Sequence, residues 1–261
     1  MWQWWRGYRR RILSSKPLPE GWETIISHAI PFYELLTDNH RKLLGAKVQC
    51  FVAEKNWEGC NGLKLHDLHR VSIATQMAVM TLGLALEYFD KVLSILVYPT
   101  AYVAPARENV GGMVLEYQST RAGEAWAGGP VIVAWDELEQ TIERRLPSNV
   151  VIHEFAHQLD MQNGAHADGV PVLESVPFAE RWLEVMHRDR ERLASLCSNR
   201  QPSILDCYGA SNQAEFFAVC SETFFQAPYQ LKLEWPEVYD LLSQFYNLDW
   251  SPSAGPRAHF T

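Results

Sequence analysis

The stretch from Asn149 to Asp160 reads Asn-Val-Val-Ile-His-Glu-Phe-Ala-His-Gln-Leu-Asp, and it constrains the rest of the chain more than any other. Each residue of an α-helix turns about 100°, so residues four apart lie about 40° from one another around the axis. His153 and His157 therefore project from one face, and each can give a ring nitrogen to one Zn²⁺. Glu154 stands beside the first of them and can reach a water on the same metal. Val150, Val151, Ile152, Phe155, Ala156 and Leu159 fill the other faces, so the helix is predicted to be buried. A buried histidine pair costs desolvation unless something satisfies it, and a metal does so.

Catalytic zinc takes three protein ligands and keeps one position open for water. Downstream, His166, Asp168, His187, Glu215 and Glu222 are the candidates for the third. The first two sit in a Gly-containing loop, and His187 lies among charges on a surface helix. Glu215 and Glu222 are seven apart, on one helical face, within Ala-Glu-Phe-Phe-Ala-Val-Cys-Ser-Glu-Thr-Phe-Phe. A carboxylate amid so much apolar packing needs a partner. Spacing leaves both glutamates open. The downstream histidine spacing of a metzincin is absent.

A formal net charge of −8 argues against general nucleic-acid affinity, which needs a basic footprint. The five cysteines are odd in number and include no Cys-x-x-Cys pair, which predicts reduced thiols and a cytoplasmic protein. Residues 1–20 are basic and tryptophan-rich without the apolar run of a signal peptide. They read as a mobile tail, with contact to an anionic membrane surface as the lesser alternative. No stretch is long, apolar and uncharged enough to span a bilayer.

Periodicity predicts a helix from Asp38 to about Asn56, then a loop holding Gly59 and Gly62. A buried helix follows over Leu68–Phe89. Strands are expected at Val92–Tyr98, Val114–Gln118 and Pro130–Trp135, with a turn-rich Thr120–Gly129 between the last two. Helices follow at Asp136–Leu146, at the motif, at Phe178–Leu196, from Ser211 or Asn212, and at Pro236–Leu248. Residues 21–250 read as one domain, with a helical part to residue 90, a catalytic part from 91, and a tail over 251–261.

The motif with its extension to Gly164 is accompanied by Tyr208-Gly-Ala-Ser-Asn-Gln-Ala-Glu215-Phe-Phe-Ala-Val219, Ser221-Glu222-Thr223-Phe224-Phe225, Gly128–Trp135 and Val97-Tyr98-Pro99. Together these resemble the Mlc titration factor A family of metallopeptidases, whose core is similar to that of anthrax lethal factor. The likeness covers most of the chain but not the basic start or the end beyond Asp249. It implies an α+β fold with a zincin-like core, one Zn²⁺ per chain, and aminopeptidase-like hydrolysis of short peptides. It also implies Glu215 as third ligand, Glu154 as general base and Tyr208 as a transition-state hydrogen-bond donor. Asp160 and Glu222 are then candidates to hold the ligand histidines from behind. Asp160 could equally cap the following turn. A substrate strand would add to a sheet edge within Gln118–Val133. The family name further implies binding of the transcriptional repressor Mlc, and a regulatory protein that sequesters a repressor is the alternative reading. Ser211-Asn212-Gln213 departs from the family's Asp-Pro at the start of the second block, which alters a cap and not the chemistry.

Overall fold

The computed structural model describes residues 2–110, 113–121, 123–125, 128–164, 166–250 and 257–258. Its amino-terminal segment is a helix, not the expected mobile tail. This helix, α1 (Trp2–Ser15), precedes α2 (Trp22–Ala29) and lies along α3 (Asp38–Glu54). The reason is electrostatic. Arg10 is buried, with Nη2 2.7 Å from Glu54 and a further contact to Asp90, while Arg6 reaches Asp90 at 2.8 Å. Two of the segment's arginines are thus paired within the molecule.

Thr37 starts α3 by accepting from the His40 amide at 3.2 Å. The chain then forms β1 (Asn56–Gly59), α4 (Asp67–Met80), β2 (Ser94–Tyr98), β3 (Tyr102–Val110) and β4 (Met113–Arg121). Two predictions fail here. The expected loop after α3 contains β1, which pairs parallel with β2 in the register Asn56↔Ser94. A four-residue segment with Trp57 as its one large apolar side chain carries no strand signal, so pairing makes the strand. The helix expected to reach Phe89 ends at Met80. Lys47 enters the core and donates from Nζ to the carbonyls of Thr81 and Leu84, the latter at 2.9 Å, which supplies the helix end with a cap. Gly83 follows, where any side chain would meet the carbonyl oxygens of Tyr246 and Asn247 at 2.3 and 2.4 Å. Lys55 closes the next turn in the same way, donating to Phe89 O and Val92 O.

After β4 come β5 (Gly123–Ala125), β6 (Val131–Ala134), α5 (Trp135–Arg144) and the motif helix α6 (Val150–Asp160). The main sheet has the order β1-β2-β6-β5, with β1, β2 and β6 parallel and β5 antiparallel on an edge. β3 and β4 form a separate antiparallel hairpin. Of the turn-rich connection, Ala122, Trp126 and Ala127 lie outside the described residues, as do 251–256 and 259–261 of the expected tail.

The last third of the chain is α7 (Val176–Ser198), α8 (Gln213–Gln226), α9 (Pro228–Glu234), α10 (Pro236–Tyr246) and the short pair β7 (Leu248–Asp249) and β8 (Arg257–Ala258). The class is α+β, with a small mixed sheet among helices. One hydrophobic core runs from Trp22 to Trp250, and α6 sits in it against α4, α8, β5 and β6. Trp182 of α7 joins α8 and α10 through edge contacts with Phe217 and Phe245, at centroid distances of 5.5 and 5.6 Å. Among the described residues no helix is long and apolar enough to cross a membrane. The expectation of five reduced thiols is overturned at Cys197 and Cys207, which form a disulfide. Their ten-residue separation carries no motif; folding brings the end of α7 to the turn before α8.

Candidate metal centre

Two asparagine caps fix the helices that meet at the motif. Asn149 Oδ1 accepts from the amides of Val151 and Ile152, both at 3.1 Å, and starts α6. Asn212 Oδ1 accepts from the Glu215 amide at 3.0 Å and starts α8. The caps set where each first turn begins, and so which face His153, His157 and Glu215 occupy.

The three side chains converge. His153 Nε2 lies 2.9 Å from Glu215 Oε2, His157 Nε2 lies 3.4 Å from the same oxygen, and the two ring nitrogens are 3.2 Å apart. Ligand atoms about 2.0–2.1 Å from a tetrahedral zinc stand roughly 3.3 Å from one another. Glu215 Oε2 is buried and accepts no hydrogen bond among the described residues, although both rings face it. Two imidazoles and a carboxylate with lone pairs turned toward one point are a donor set that fits a divalent metal such as zinc. This is the one such group among the described residues. Burial alone would push the Glu215 carboxyl up, but the facing His153 and His157 rings hold it down, to about 2.

Behind the centre stands Glu222. Its Oε1 is 2.7 Å from His153 Nδ1, and its Oε2 accepts the Asn149 amide. A carboxylate at Nδ1 fixes the tautomer that leaves Nε2 free for a metal. Burial disfavours the His153 cation, yet Glu222, Glu215 and Glu154 together raise its pKa well above the ordinary value. Asp160 is placed differently. Its Oδ2 accepts the Gly169 amide at 2.7 Å, so it fastens the loop after α6. The same loop is held by Trp182 Nε1 donating to Gly169 O at 2.8 Å. Both His157 Nδ1 and Asp160 Oδ1 are buried without a hydrogen-bond partner among the described residues.

Glu154 is only 6% exposed and lies between the centre and the sheet edge. Its carboxylate lies against the backbone of β5. A Cβ at Gly123 would fall 2.4 Å from Glu154 Oε1. Burial raises its pKa to about 8, with the charges of Glu215, Glu222 and Glu124 adding to the effect and His153 opposing it.

Tyr208 lies in a 3-10 turn, Cys207–Ala210, that packs on α7 and α8. It is 56% exposed, with its ring centroid 6.0 Å from that of His153. The discarded candidates are elsewhere. His166 is exposed, Asp168 Oδ1 turns its own loop by accepting the Val170 amide at 3.0 Å, and His187 lies 3.4 Å from Gln213 Nε2. Gly123 escaped the sequence reading because its importance is a distance to a residue far along the chain. A glycine in a strand segment was the available signal.

Comparisons with known proteins give the family. The family model described as "Glucose-regulated metallo-peptidase M90" matches residues 2–247, so the similarity includes the basic start that the sequence reading left outside it. An uncharacterized protein of Synechocystis is 38% identical over 248 residues, 94% of this chain and 90% of that protein. Proteins named Mlc titration factor A from Yersinia pestis and Yersinia pseudotuberculosis are each 33% identical over 230 residues, 84% of this chain and 82% of theirs. With a family match over nearly its whole length and relatives of this identity and coverage, the chain belongs to the glucose-regulated metallopeptidases of family M90.

Proposed function

We propose that this chain is a cytoplasmic zinc peptidase of the gluzincin type, acting on short peptides as an aminopeptidase-like hydrolase. The observation that carries the reading is the convergence of His153, His157 and Glu215, with Glu154 beside them, in a member of a metallopeptidase family. His153, His157 and Glu215 would hold a zinc ion, which would supply Lewis acidity toward a water and toward the scissile carbonyl. Glu154 takes the water's proton and passes it to the leaving amine, a role worth roughly 10²–10⁴-fold in rate. Glu222 keeps the His153 ring turned so that Nε2 faces the centre. Tyr208, at the exposed rim, donates its hydroxyl to the developing oxyanion. The edge strand β5 offers backbone groups to an extended substrate.

Glu154→Gln is expected to keep one zinc per chain and lose turnover of a fluorogenic aminoacyl substrate by about 10²-fold or more. Glu215→Ala is expected to lose the metal. Full turnover in the first variant would end the general-base assignment, and undiminished zinc in the second would move the third ligand elsewhere.

The name of the Yersinia relatives supports a second reading, in which the chain binds and titrates the repressor Mlc. Binding of that kind survives Glu154→Gln, so a pull-down with the inactive variant separates the two activities.

A further inference from the structure

The disulfide lies next to the candidate hydrogen-bond donor. Cys197 is in the last turn of α7, and Cys207 immediately precedes Tyr208. Residues 199–206 between them form neither helix nor strand. That connection is held by Leu205, which is buried, and by the Ile204 amide donating to Glu234 Oε2 at 3.0 Å. The far half of the 3-10 turn is packed. A Cβ at Gly209 would lie 3.2 Å from Val219 and 3.3 Å from Leu193, and Arg190 Nη1 donates to Ala210 O at 3.1 Å. The near half, Asp206 to Tyr208, is exposed. The backbone of Tyr208 is tied locally, its amide donating to Asp206 Oδ1 at 2.8 Å and its carbonyl accepting from Ser211. The disulfide is the covalent link that fastens this exposed half to the rigid end of α7.

We infer that Cys197 and Cys207 are positioning residues whose bond keeps Tyr208 beside His153, and that reducing the bond lowers turnover. The inference rests on the donor role proposed for Tyr208. Cys207 is exposed and Cys197 partly so, which admits a protein dithiol. One donor thiolate attacks the Cys207 sulfur and forms a mixed disulfide, while the Cys197 sulfur leaves as thiolate and takes a proton. The donor's second thiol then attacks its own sulfur in that mixed disulfide and releases Cys207 as a thiol. The donor ends as a disulfide, and the pair has gained two electrons and two protons. With the bond open, the near half of the turn loses its covalent tie to α7 and keeps only noncovalent contacts, among them the hydrogen bonds of the Tyr208 backbone. Displacement of a reacting group by about 1 Å can cost 10²-fold in rate.

The test compares the zinc-loaded chain oxidised with glutathione disulfide and reduced with a phosphine, the thiol state being read by alkylation and mass spectrometry. Reduction is expected to lower kcat roughly tenfold or more, with KM and zinc content unchanged. The double variant Cys197→Ser, Cys207→Ser is expected to match the reduced protein and to ignore the phosphine. Tyr208→Phe is expected to be slow in both states and indifferent to reduction. A fully active Tyr208→Phe would remove the donor role itself. An impaired Tyr208→Phe beside a wild type that ignores reduction would instead overturn the positioning inference. So would an equal reduction effect in Tyr208→Phe and wild type, loss of zinc on reduction, or two alkylatable thiols at these positions after oxidation.

Discussion

At Gly123 a missing side chain does the positioning. The Glu154 carboxylate occupies the space where a β-carbon would stand, which brings the proposed general base against the strand backbone. The three nearest atoms that an alanine methyl would strike, Oε1, Cγ and Cδ at 2.4–2.8 Å, all belong to the Glu154 side chain and none to backbone. A side chain can shift where backbone cannot, so the fold should tolerate the change while the carboxylate loses its place. Gly123→Ala is therefore expected to keep its zinc and its melting temperature and to lose about 10²-fold in kcat. Steady-state kinetics on the metal-loaded variant checks this, and an unchanged kcat would show that β5 does not set the position of the base. The glycine was visible in the sequence; its neighbour was not, because the strand is brought to α6 by the sheet.

At the scale of elements, α6 and α8 are joined by one carboxylate. Glu222 of α8 takes the first free amide of α6, at its cap residue Asn149, and in the same side chain holds the ring of His153. The position of the first helix and the orientation of its first ligand are thus set together. Glu222→Gln keeps the shape but presents an amide NH₂ where either the Asn149 amide or the ring nitrogen needs an acceptor. The expected result is a 10–100-fold weaker metal affinity, measured by competition with a chromogenic chelator. An affinity unchanged within twofold would mean that this carboxylate is only structural. The seven-residue spacing of Glu215 and Glu222 placed both on one face but could not rank them. In the fold, α8 brings Glu215 to the Nε2 side of His153 and Glu222 to the Nδ1 side.

Across the whole molecule, the amino-terminal helix is tied to the body through Arg10, which reaches Glu54 of α3 and Asp90 just before β2. Arg10 and Glu54 are both nearly buried, so removing the cation leaves a carboxylate without compensation. Arg10→Ala is expected to cost about 3 kcal/mol in chemical denaturation and to open residues 2–15 to protease. A loss below about 0.5 kcal/mol, with cleavage unchanged, would show α1 to be held by its apolar contacts instead. Composition made this segment look like a tail because charge and tryptophan content say nothing of where the opposite charges lie.

Two histidines four residues apart need no tertiary information to share a face of α6, so the candidate ligand pair was legible before the fold was known. Most of the helices were legible as well, because caps and apolar periods are local, while the class of fold came with the family resemblance. The remainder depended on contacts between distant segments. The Cys197–Cys207 bond, strand β1, the early end of α4 at a buried lysine, and the contact of Gly123 with Glu154 each join residues that are distant or unpatterned in sequence. Their physical cause is the same in every case: a pairing or a close approach whose free energy comes from the partner, and a single segment carries no trace of a partner it has yet to meet.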